Sequence, residues 1–158
     1  MMSFLKALSL FYAGIVLATQ PLYACTISES FQQTTPLNVV DMGNAARLRL
    51  VDTVLRARRW PVSEIIASVS TPALGTERRP SVLSSARAEA VKRILLQLGL
   101  KESNIFVESP VYKKPVAPNK EALDELRSIA VDFYPKCDDD CARLCDDPRV
   151  LPDSRIVR

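Results

Sequence analysis

Hydrophobic residues along this chain fall into one unbroken apolar run, two helical stripes and three short strand-like stretches. The run is Ala7–Ala18. From Asp41 to Trp60 the spacing is helical: Leu48, Val51 and Leu55 share a face that Leu50 and Val54 widen, and Arg47, Arg49, Arg56 and Arg58 point outward. Asp41 or Asn44 suits the cap at its start, and Pro61 stops it. Glu64–Ser70 (EIIASVS) reads as a strand ended by Pro72 and Gly75. A second helix is predicted from about Ser84 to Leu98, with Ala88, Val91, Ile94, Leu95 and Leu98 as its stripe and Gly99 at its left-handed end. Ile105–Phe106–Val107 begins another strand that runs on toward Tyr112.

Lys113–Asn119 holds two prolines and is read as a loop, followed by a turn of helix at Lys120–Glu125. Ser128–Tyr134 alternates, with Ile129, Val131 and Phe133 on one face, so it is a half-buried strand closed by Pro135. Residues 25–36 are polar and suit a linker or a frayed first strand. The order helix, strand, helix, strand, strand predicts an α+β two-layer sandwich with helices on one face of a small mixed sheet. The expected divisions are a signal segment at 1–24, a linker at 25–36, the folded domain at 37–136 and a cysteine-containing tail at 137–158.

The apolar run changes this picture first. Lys6 precedes it, Pro21 breaks it, and Leu22-Tyr23-Ala24 places a small residue before a cut, which together are the parts of a secretory signal. The run is too short to span a hydrocarbon core, which needs about 20 residues. Export to the periplasm or to the periplasmic side of the outer membrane is expected. Leu22-Tyr23-Ala24-Cys25 also resembles a bacterial lipobox, with Tyr23 bulkier than the usual residue. An acylated Cys25 would be a lipid anchor, and Thr26 in place of Asp would direct it to the outer membrane.

Removing residues 1–24 takes away Lys6 alone among the charges, so the mature balance is 20 − 18 = +2. The basic residues do not form one run, and nucleic acid is not an expected partner. The sequence contains no histidine, which excludes Ser-His-Asp and Cys-His catalysis and every histidine-containing zinc site. No nucleophile–base pair stands out and no cofactor is expected, so the chain reads as a non-enzyme. Four cysteines remain: Cys25, Cys137, Cys141 and Cys145. In an oxidising compartment an even count favours two disulfides over a metal site, with three pairings open. Lipidation of Cys25 would leave three, so disulfide and lipid stand as alternative fates for that sulfur.

The segment Leu83-Ser84-Ser85-Ala86-Arg87-Ala88, followed by Leu95, Gly99 and Ile105, resembles the signature of the OmpA-like C-terminal domain family. Thr71 takes the place of a Thr that ends a strand, Gly75 a loop Gly, Leu83-Ser84 a Leu-Ser pair and Arg87-Ala88 an Arg-Ala pair. Arg127 and the alternating strand behind it resemble the family's last strand. The likeness runs from about Leu37 to Tyr134. It implies a non-catalytic module that holds the diaminopimelate side chain of peptidoglycan, with Arg87 as the fork for its carboxylate. Two positions depart from the pattern: Pro72 stands where the family has Asp, and Pro80 where it has Asn. Val69-Ser70 replaces a Gly-His. Proline supplies neither a carboxylate nor an N–H.

Thr71, Glu77 and Arg87 are therefore the candidate ligand-binding residues, Glu77 as a substitute carboxylate in the same loop. Ser84 is expected to cap a helix, and Arg78-Arg79 to be a solvated pair able to attract an anionic glycan or lipid surface. Two functions follow. One is noncovalent anchoring to peptidoglycan through Arg87. The other is a ligand-deficient interaction module that binds a protein partner in an envelope complex.

Overall fold

A computed structural model describes residues 25–113, 119–137 and 141–157. The expected signal segment at 1–24, the loop interior at 114–118 and Asp138, Asp139 and Asp140 lie outside the described residues. Eight strands, β1 (Cys25–Ile27), β2 (Glu29–Thr34), β3 (Glu64–Ser70), β4 (Ala73–Leu74), β5 (Ile105–Glu108), β6 (Val111–Tyr112), β7 (Ser128–Lys136) and β8 (Arg155–Val157), are described. They alternate with helices α1 (Asn44–Ala57), α2 (Pro80–Gln97) and α3 (Lys120–Glu125). The main sheet has the order β2-β7-β3-β5, antiparallel at the first two pairings and parallel between β3 and β5. A parallel pair needs a crossover, and α2 supplies it. The architecture is the α+β sandwich with a mixed sheet that the hydrophobic pattern predicts.

The core explains the pairing. On β7, Ile129, Val131 and Phe133 face inward and are essentially inaccessible, beside Ala67 and Val69 of β3 and Phe31 of β2. Leu50 and Val54 of α1 and Val91 and Leu95 of α2 close the same cluster. Pro135 does not end β7, because it sits opposite Ile65 in a strand that continues to Lys136.

Helix α1 differs from its expected stripe. Its buried residues are Ala46, Leu50, Thr53, Val54 and Ala57, while Leu48 is 67% and Leu55 52% exposed. The buried set follows the i, i+4, i+7, i+8, i+11 spacing of one helical face. Leu50 and Val54 are buried as expected; the other three members are small or polar, which is why Leu48 and Leu55 were placed on the buried face in error. Neither Asp41 nor Asn44 caps α1 through its side chain; Gly43, at φ 80°, holds that position.

The two ends of the described chain also belong to the fold. The segment expected to be a linker or frayed strand forms β1 and β2, and β2 lines the sheet edge against β7. The expected tail contributes Leu144 and Val150 to the core and returns as β8 to pair with β1. Disulfides join Cys25 to Cys145 and Cys137 to Cys141. A sulfur in a disulfide carries no thioether, and in this structure Cys25 is disulfide-bonded. The first bridge spans 120 residues and the second 4. In the chain-entropy account the long closure contributes about 5 kcal/mol and the short one about 2.

Candidate ligand site around Arg87

Strand β3 delivers Thr71 to the rim of the sheet, and the chain then turns through β4 and a short loop into α2. Pro80 is the first residue of α2 and follows Arg79 at φ 49°. Proline suits that first position because its N–H would have no partner there and its φ is already helical. The proline that departs from the family pattern thus starts the helix four residues earlier than the periodicity predicts. Ser84, expected as a cap, lies inside α2. Its hydroxyl donates to the Thr71 carbonyl at 2.7 Å, and the Thr71 hydroxyl donates to the Ser84 carbonyl at 3.1 Å. This reciprocal pair staples α2 to the end of β3.

One turn further on, Arg87 is fully buried. Its Nη2 donates to Glu77 Oε1 at 2.8 Å and to the Pro36 carbonyl at 3.4 Å. Its Nη1 donates to the Pro72 carbonyl at 2.8 Å and to Glu77 Oε2 at 3.4 Å. Its Nε donates to the Val39 carbonyl at 2.9 Å. A guanidinium has five N–H donors, and these bonds use all five. Glu77 is equally occupied: Oε1 accepts from the Asn38 N–H at 2.9 Å and Oε2 from the Leu74 N–H at 2.8 Å, in addition to the fork. Burial alone would raise the Glu77 carboxyl. The hydrogen bond from Arg87, then those from the Asn38 and Leu74 N–H groups, outweigh it and hold the carboxyl below its ordinary value.

The three candidate residues thus converge. Glu77 lies directly on Arg87, and Thr71 packs one helical turn away through Ser84. Pro72 takes part as well, through its carbonyl, the one polar backbone group a proline retains. The segment that covers the pair was not legible beforehand. Pro36 and Val39 contribute only carbonyl oxygens, which every residue type has. Asn38 adopts φ 61°, and its side-chain Oδ1 accepts from the Arg78 N–H at 2.6 Å, clasping the two loops together. An Asn in a polar stretch is a weak sign of such a turn, because Asn tolerates the left-handed region better than most residues. Gly75 has a steric reason to be glycine: a Cβ there would lie 2.9 Å from the Lys113 backbone.

No model of a known protein family matches the sequence. Over 86 residues the chain is 34% identical to outer membrane protein A of Bordetella avium, a match covering 54% of this chain and 44% of that protein. The chain therefore spans less than half the length of the curated relative it matches. The periplasmic domain of Helicobacter pylori MotB superposes with a TM-score of 0.53 at 16% identity, covering 72% of this chain and 86% of that one. The cell wall anchor of the T6SS from Pseudomonas aeruginosa superposes with a TM-score of 0.51 at 17% identity, covering 80% and 95%. At such identities the structural likeness is one of fold. With the Leu-Ser-x-x-Arg-Ala helix in register, a β3–α2–β5 crossover behind it and a sequence relative that is itself an outer membrane protein A, the domain resembles the OmpA-like family in sequence and has its fold.

Proposed function

We propose that this chain is an exported envelope module that keeps the OmpA-like fold and associates with a protein component of the envelope, its arginine pocket being filled by its own Glu77. The observation that carries this reading is the saturation of Arg87. All five donors end on groups of this chain, and the guanidinium has no accessible surface. A ligand carboxylate would have to displace Glu77 from a bidentate pair and strip it of two backbone N–H bonds. Separating a buried pair in this way is costly, because each charge then lacks its partner in a low-dielectric site. The disulfide at Cys25 favours a periplasmic module without a lipid anchor.

Peptidoglycan anchoring through Arg87 is the competing reading, and the retained arginine on the matching helix favours it. Sedimentation with purified sacculi separates the two. The oxidised protein is expected to stay in the supernatant, with or without an excess of free diaminopimelate. Wild-type protein that pellets with sacculi and is released by diaminopimelate would overturn the proposal and restore Arg87 as a ligand fork.

A further inference from the structure

Leu48 and Leu55, two members of the apolar stripe predicted for the core side of α1, face solvent instead. Leu48 and Leu55 lie two turns apart on the crest of the helix, about 10 Å from one another. Arg47 and Arg58 flank this crest on one side and Arg49 on the other, all three exposed, and Arg59 continues the crest past the helix end. Residues 44–59 contain five arginines and one carboxylate, Asp52, so they carry +4 where the whole chain carries +3. Everything outside this segment therefore sums to −1. Two of the five arginines are ion-paired to carboxylates outside the segment, Arg47 to Asp41 and Arg56 to Glu29, so Arg49, Arg58 and Arg59 are the cations without an ion-pair partner among the described residues, around two exposed leucines.

We infer that this face of α1 is a docking surface for an anionic phospholipid bilayer. Three features of this surface select that occupant. The cations are all arginine, whose planar fork matches phosphate oxygens and is weakly hydrated. Each exposed fork keeps donors to spare, since Arg47 is held through one nitrogen by Asp41 at 2.7 Å, Arg49 through one by Gln33 and Arg58 through one by the Leu98 carbonyl. Each of these contacts uses one nitrogen of its fork. Two leucines also offer far less apolar area than the roughly 800 Å² per partner of a standard protein interface. A lipid surface needs no matching cavity, and a charged helix with an apolar crest is the form of an interfacial helix.

The inference is independent of what Arg87 binds, and vesicles test it without sacculi. The oxidised, secreted protein is floated with phosphatidylethanolamine vesicles containing roughly one quarter phosphatidylglycerol, and separately with phosphatidylcholine vesicles. Flotation with the anionic vesicles only is expected. Arg58→Gln with Arg59→Gln should weaken it about 25-fold, at about fivefold per arginine. Leu48→Ser with Leu55→Ser should weaken it about tenfold or more. The leucine pair should melt as wild type, and the arginine pair within a few degrees of it, since Arg58 gives up one exposed bond to the Leu98 carbonyl. Binding to neither vesicle, equal binding to both, or binding that survives both pairs would overturn the proposal; the last would assign it to another part of the chain.

Discussion

Helices α1 and α2 cover the same face of one sheet and use arginine in opposite ways. On α2, Arg87 points into the protein, where loop carbonyls and one carboxylate take every N–H it has. On α1, Arg47 and Arg49 stand at the surface with one side-chain partner each, and Arg56 is half-exposed on the buried Glu29. The lesson concerns surroundings. A guanidinium can be buried only where its five donors all find acceptors, and the clasp of residues 36–39 over the loop at 72–77 provides them. Once provided, they occupy all five donors. Where no such clasp exists the same side chain stays available.

This contrast can be broken by substitution. Arg87→Met should destabilise the fold by about 3–5 kcal/mol in urea unfolding, because it strands the buried Glu77 carboxylate. Adding Glu77→Gln should recover part of that loss, and a double variant no more stable than the single one would show that the pair is not coupled. Leu50→Ala should cost about 2–4 kcal/mol, whereas Leu48→Ala, two residues away, should cost less than about 0.5. Equal effects would mean that α1 is rotated from the orientation described.

Acid provides a finer probe. The Glu77 carboxyl is held below its ordinary value in the fold, as is that of Glu64, lowered to about 2 by Asn104 first and then by Lys101 and Lys136. A carboxyl depressed by folding adds stability that is fully present above its unfolded pKa, near 4.5 for these glutamates, and is lost as the pH falls through the folded value. Unfolding midpoints should therefore be flat above about pH 5.5 and decline below about 4.5. Glu77→Gln should make that decline shallower, and an unchanged acid limb would place the titration elsewhere. The smallest stability effect is expected at the surface: Arg59→Gln should leave the melting point where it is while weakening flotation with anionic vesicles about fivefold.

Strand β3, the alternating β7, the crossover helix and its glycine end were legible because each depends on local period and breakers. Ile129, Val131 and Phe133 alternate cleanly, and a period of two admits one core face. The orientation of α1 was not legible. Its large apolar residues are divided, Leu50 and Val54 inward and Leu48 and Leu55 outward, and Ala46, Thr53 and Ala57 complete the buried face. The edge strand β2 was hidden for a similar reason, since polar Gln32 and Gln33 alternate with a single large apolar residue, Phe31.

Residue identity was enough to indicate an α+β order, a disulfide chemistry and the Leu-Ser-x-x-Arg-Ala helix that carries Arg87. Those properties are carried by short-range pattern and by the chemistry of single side chains. The pairing of Cys25 with Cys145, the closure of Glu77 on Arg87 and the outward turn of Leu48 and Leu55 depended on residues brought together from distant parts of the chain. Backbone carbonyls from Pro36, Val39 and Pro72 decide whether Arg87 is a fork or a filled pocket. A carbonyl is common to every residue, so its contribution exists only once the loops have met.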